Sequence, residues 1–191
     1  VWRRNLDYAA IADIHSIKRQ IHVHKGLEGL KAAGCDLKLG AGGIREIEFY
    51  AQTQQLILGG RDPALRSPRT LDALEALRAA GHVSDEAAAD LTQAYIGLRG
   101  WEHRVQMVGD EQTHRLPEAP AERLRVAALS GFGELPAFDA AVEAVLARVN
   151  ARYGELFAAE EPLSSELGSL IFTGVEDDPE TLATLARMGF S

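Results

Sequence analysis

Apolar positions recur along most of the chain at spacings of three and four, the period of helices buried on one side. Ile11, Ile14, Ile17 and Ile21 form such a stripe and predict a helix from about Leu6 to Lys31. Its other face carries His15, Lys18, Arg19 and His22, and "KAAGCD" ends it with Gly34 as a left-handed cap. Ile44, Ile47, Ala51 and Leu58 predict a second helix, closed by "GGRDPALRSP". A short helix follows from Thr70 to Ala80. A long one runs from a Ser84 cap to about Val108, with Leu91, Tyr95, Leu98, Trp101, Val105 and Val108 inward.

Pro120 and Pro136 open two further helices, the second running toward Phe157 with Phe138, Val142, Val145, Val149 and Leu156 inward. The pattern breaks at "AAEEPLSSELGSLIFTGVEDD", where "GSLIF" is the one strand candidate. Asp178 and Pro179 then suit the cap and first turn of a last short helix, Pro179 to Met188. The expected fold is all-α: a multi-helix bundle with a glycine-rich interhelical loop over residues 1–160. Residues 161–191 are expected to be a linker and short helix leading toward a further domain.

Charge changes this picture in one respect. The formal charge is -8, which argues against a general nucleic-acid binder, since such proteins need a basic surface to displace phosphate counterions. The charge is uneven: residues 1–66 hold 10 Lys/Arg against 7 Asp/Glu, and the remainder holds 10 against 21. An anion site is therefore expected in the first third. Cys35 is the single cysteine, so no intrachain disulfide can form, and a cytoplasmic location is the expectation. No apolar run approaches the ~20 residues of a membrane span. The opening "VWRRNLDYAA" has neither an initiator methionine nor the apolar core of a signal peptide, which suggests a piece of a longer protein.

The chemistry gathers at "DLKLGAGGIREIEF", residues 36–49. Gly40, Gly42 and Gly43 free the backbone just before a helix N-terminus, where amide hydrogens and the helix dipole attract anions. Lys38 and Arg45 flank the loop with positive charge. The stretch matches neither the mononucleotide P-loop, which needs Lys and Ser/Thr after its second glycine, nor the dinucleotide fingerprint, which needs a preceding strand. A tight interhelical turn with Arg45 and Glu48 as an ordinary ion pair is the competing reading. Glu46 and Glu48 lie about 200° apart on a helix, so they cannot act as a paired acid and base on one face. A second cluster, "GWEHRVQMVGDEQTH", holds Glu102, His103, Arg104, Asp110 and His114. Its histidines lack zinc-ligand spacing, and His22 and His24 face different ways. Glu102 and Arg104 are expected to anchor the long helix, with service to the glycine joint as the alternative for Arg104.

Five ordered stretches, "DLKLGAGGIREIEF", "QLILGGRDPALRS", "LRGWEHRVQM", "DEQTHRLP" and "TGVEDDPETLATLARMGF", resemble the glutamine-synthetase adenylyltransferase family. The resemblance implies a bifunctional enzyme that adds AMP to glutamine synthetase and removes it, built from two nucleotidyltransferase units each followed by a helical domain. This chain is similar to the helical region after the first, AMP-removing unit. It lacks the family's catalytic Gly-Ser motif with its nearby Asp-x-Asp, the one Gly-Ser of "GSLIF" having no Asp-x-Asp beside it, so the fragment alone is expected to be inactive and to hold no metal. The resemblance implies Mg2+ and ATP or ADP in the whole enzyme. It also implies glutamine synthetase, the PII signalling protein and the flanking transferase domains as partners. Lys38, Gly40, Gly42, Gly43, Arg45 and Glu46, with Lys18 of "SIKRQI", match the segments expected to face nucleotide or phosphate; Glu48, Glu102 and Arg104 are expected to support them. Ala41 stands where many relatives have proline. Two rivals stand beside this reading: the helical domain of a PII uridylyltransferase-like enzyme, and a pure docking module for PII or glutamine synthetase.

Overall fold

The computed structural model describes residues 30–158, with side chains to Glu155. Lys18, the strand candidate, the boundary at residue 160 and the last helix lie outside the described residues, as does most of the helix expected before Lys31. Leu30 and Lys31 are not helical. Gly34 has the positive φ expected, 72°, but within a turn closed by Cys35 N–H donating to Ala32 O at 3.3 Å, not directly behind a helix.

Five helices follow, with no strand among the described residues: α1 (Ile44–Leu58), α2 (Thr70–Ala79), α3 (Asp85–Gly109), α4 (Pro120–Leu129) and α5 (Leu135–Ala158). A 3-10 turn, Pro63–Leu65, lies between α1 and α2; Asp62 caps it by accepting from Ala64 N–H at 2.9 Å. Ser84 caps α3 as its position predicts, its hydroxyl accepting from Ala87 N–H at 3.1 Å. Asp110 ends that helix in the left-handed region, φ 49°. Pro120 stands at the first position of α4, where a missing N–H costs nothing.

The core forms where the stripes meet. Ile44, Ile47 and Ala51 of α1 are buried with Leu74 and Leu77 of α2 and Leu91, Leu98 and Val105 of α3. The inward row of α5 is Phe138, Val142, Leu146, Val149 and Tyr153. Leu146 takes the place expected of Val145, which is only half-buried, although either position keeps the row at spacings of three and four. Phe138 meets the Trp101 and Phe132 rings edge-on, with centroids 5.7 and 5.4 Å away.

Buried polar groups fix the helices further. Arg123 of α4 reaches both carboxylate oxygens of Asp139 (2.8 and 3.0 Å) and the carbonyls of Pro117 and Glu118, tying α4 to α5 and to its own approach. Gln55 of α1 donates to Leu65 O and Ser67 O at 2.6 and 2.8 Å, which pins the segment leading to α2. No described helix is long and apolar enough to cross a membrane.

Candidate functional site

The glycine joint is a tightly bonded turn. The Asp36 carboxylate accepts from Lys38 N–H and Leu39 N–H at 3.0 and 2.7 Å, and Asp36 O accepts from Gly40 N–H at 2.9 Å. Leu37 O and Lys38 O accept from the first amides of α1, those of Ile44 and Arg45. Glu46, buried in the first turn, reaches back to accept Gly42 N–H at 2.9 Å, a variant of the capping box. Most amides that a loop of this sequence could aim at an anion are therefore spent within the turn. All three glycines of the joint are required by space: a Cβ at Gly40 would stand 2.3 Å from Asp36 O, one at Gly42 (φ 72°) 2.0 Å from Leu146 O of α5, and one at Gly43 2.9 Å from Leu37 O and Lys38 O.

The joint is also paired to the connector after α3. Asp36 and Arg115 form an antiparallel bridge, with Leu37 N–H donating to His114 O and Leu116 N–H to Cys35 O, each at 2.9 Å. This pairing brings His114 beside Lys38. Both then meet Glu102 on α3, whose side chain is only 1% exposed. Lys38 Nζ lies 3.8 Å from Glu102 Oε1, and His114 Nδ1 lies 2.7 Å from the same oxygen. Arg99, one turn earlier on α3, makes a close contact with Glu102 Oε2. The His114 and Glu102 atoms are near but poorly aligned, so that Oε1 and Nδ1 are buried without a hydrogen bond.

These four side chains, with His103, Gln106 and Gln112, line a cavity of about 330 Å³. One carboxylate thus stands against a lysine, an arginine and two histidines, a locally cationic cavity on a chain of charge -8. Arg99, His103 and Gln106 share an α3 face through spacings of three and four.

The other expected residues are placed elsewhere. Arg45 pairs with Glu48 at 3.5 Å and stacks over the Phe49 ring, half-exposed and away from the cavity lining. Glu46 is turned inward, and burial followed by its charge pushes the Tyr153 hydroxyl up to about 12. Arg104 does not serve the joint: its guanidinium donates to Leu129 O at 2.7 Å and to Gly100 O at 2.8 Å, fastening α3 to the end of α4. Glu102, expected both to anchor the long helix and to support the loop residues, faces the joint. Arg99, Gln106 and Gln112 were not anticipated, although the α3 spacing could have grouped Arg99 and Gln106 with Glu102. Among the described residues no three His, Cys, Asp or Glu side chains converge as metal ligands.

The chain is similar across its whole length to the bifunctional glutamine synthetase adenylyltransferase/adenylyl-removing enzyme of Caulobacter vibrioides, with 72% identity over 191 residues. The enzymes of that name from Agrobacterium fabrum and Rhizobium meliloti are 56% and 54% identical over 190 residues. In each case the chain spans about 19% of the relative's length. The sequence model of the GlnD PII-uridylyltransferase family matches residues 15–157, and the chain belongs to that family.

Proposed function

We propose that this chain is the helical domain of an adenylyltransferase/adenylyl-removing enzyme acting on glutamine synthetase, and that it completes the phosphate or nucleotide site of the AMP-removing half. One observation carries the reading. Three sequence stretches, "DLKLGAGG" and, far from it in the chain, the neighbouring "LRGWEHRVQM" and "DEQTHRLP", supply the residues that line the cationic cavity. The relatives' names favour the adenylyltransferase over the uridylyltransferase reading of the same domain.

In the proposed reaction an oxygen of inorganic phosphate attacks the phosphorus of the tyrosyl-AMP phosphodiester. The tyrosyl O–P bond breaks, ADP forms, and the tyrosine oxygen takes up a proton. Negative charge concentrates on the transferring group, and preorganised cations lower its cost. Lys38 is the residue best placed to contribute, because the pairing of residues 35–37 with 114–116 holds it at the cavity. Mg2+, with ATP or ADP, belongs to the transferase units in this reading. A cytoplasmic setting and PII as a regulatory partner complete the proposal.

The test is Lys38→Ala in the full-length enzyme, following ADP release from adenylylated glutamine synthetase with phosphate and magnesium. Deadenylylation should fall about 100- to 1,000-fold, as for loss of one charge-stabilising donor, while adenylylation from ATP persists. Unchanged ADP release would leave the chain a docking or spacer domain.

A further inference from the structure

Three basic side chains converge on Glu102 from two segments besides its own helix: Lys38 from the joint, His114 from the connector and Arg99 from α3. They do so unequally. Arg99 is engaged on Oε2, whereas Lys38 Nζ stands at 3.8 Å, within reach of the charge but beyond hydrogen-bond distance. Lys38 Nζ has no hydrogen-bond partner among the described residues, and its side chain is 32% exposed at the cavity. The carboxylate is nearly inaccessible, and its Oε1 lacks a hydrogen bond. A buried carboxylate that draws in more basic groups than it can neutralise leaves surplus positive charge at the opening above it.

We infer that Glu102 is a positioning residue: it holds Lys38, Arg99 and His114 as one wall of a seat for a phosphate-class oxyanion, with His103, Gln106 and Gln112 completing the rim. The inference rests on the functional reading above in naming phosphate, but it makes a claim of its own about which residues build the seat. Inorganic phosphate and the phosphates of a nucleotide share the chemistry that would be recognised. Lys and Arg supply charge, His and Gln supply directed N–H donors, and the cavity of about 330 Å³ admits either a phosphate or part of a nucleotide. Glu102 touches no ligand in this scheme. It acts through the orientation of the three basic groups.

The experiment is hydrogen exchange by mass spectrometry on the full-length enzyme, titrated separately with inorganic phosphate and with ADP. The peptides read are those covering 35–40, 98–107 and 111–116. Protection should rise in all three with one midpoint; the probe that acts at the lower concentration identifies the source of the oxyanion. Glu102→Gln, which keeps the side-chain shape, should raise that midpoint about tenfold, as when a preorganised site is deprived of one charge-assisted hydrogen bond. Glu102→Asp should recover part of the loss. Adding Lys38→Ala to Glu102→Gln should raise the midpoint less than the two single effects combined, because both act through one wall. His103→Ala, at an exposed rim position, provides a second measure that leaves the fold intact and should raise the midpoint several-fold.

No protection by either probe, or midpoints in Glu102→Gln and His103→Ala equal to wild type, would overturn the inference even if Lys38→Ala impaired ADP release. Protection that depends on Glu102, with ADP release untouched in Lys38→Ala, would leave the oxyanion seat standing and remove its assignment to the AMP-removing reaction.

Discussion

The glycine joint carries a basic residue on each side, and each stands near a glutamate. Arg45 and Glu48 are 3.5 Å apart on the surface of α1, at 52% and 21% side-chain exposure. Lys38 and Glu102 are 3.8 Å apart, but Glu102 is only 1% exposed and comes from a different helix. Distance alone would rank the first pair higher. Burial reverses the order: water screens the first pair, and rotamer entropy offsets what remains. The second draws on a carboxylate held out of water, where its charge is screened far less. The same loop thus has one side that decorates a helix and one that organises a cavity.

That comparison is broken most directly by damaging the joint both pairs share. Gly42→Ala places a Cβ 2.0 Å from Leu146 O, a backbone atom of α5, at a φ of 72° that side chains rarely adopt. Neither strain is relieved by rotating a side chain. The expected loss is about 4 kcal/mol, at the exceptional end for one substitution, read by urea unfolding. A loss under about 1 kcal/mol would mean that α5 yields, and that the joint is not fixed by its packing.

Removing the carboxylates one at a time sharpens the comparison. Glu102→Leu leaves Lys38, Arg99 and His114 facing one another without their counter-charge; their partial exposure lets water recover part of the cost, so about 2–3 kcal/mol is expected. Glu48→Gln should cost no more than about 0.5–1 kcal/mol, and less at high salt. Equal losses in urea unfolding at low salt would defeat the claim that burial separates the pairs.

How much of this was legible in the sequence follows the same division. Features decided by neighbours along the chain could be read: the α1 and α3 stripes, the Ser84 cap, Pro120 at a helix start and the Arg45–Glu48 pair one turn apart. Features decided by pairing across the chain could not. Nothing in "DEQTHRLP" announces that His114 and Arg115 will lie against Leu37 and Asp36, and without that pairing Lys38 has no route to Glu102. The resemblance picked out all three stretches that line the cavity, but not which side chain of each would face it. The loop glycines suggested an amide nest for an anion. In the fold they instead let Asp36, Leu37, Lys38 and Glu46 use those amides. Arg104 was expected to anchor α3, but the carbonyl it binds, at the end of α4, could not be read from the sequence. Arg123 escaped notice because its partner Asp139 lies on another helix.

Cys35 gives the smallest expected effect and tests the pairing that separates the two sides of the joint. It immediately precedes Asp36, and its carbonyl accepts from Leu116 N–H. Burial, and then the Asp36 charge, pushes its thiol from 9.0 up to about 12. The folded form therefore keeps the proton that the unfolded chain gives up. The sign follows from linkage: the stability this group contributes is complete below pH 9, and it is lost as pH rises from about 9 through about 12. At pH 8 the thiol should react with a disulfide reagent far more slowly than in the denatured chain, since the thiolate is the attacking species. Opening the 35–37 and 114–116 pairing should speed that reaction. The sharp comparison is Arg45→Ala against Glu102→Leu in reagent kinetics at pH 8. The first should leave Cys35 as slow as in wild type; the second, by releasing Lys38 and His114 from one anchor, should make it faster. Equal rates in the two variants would show that the buried carboxylate does not hold the connector against the joint.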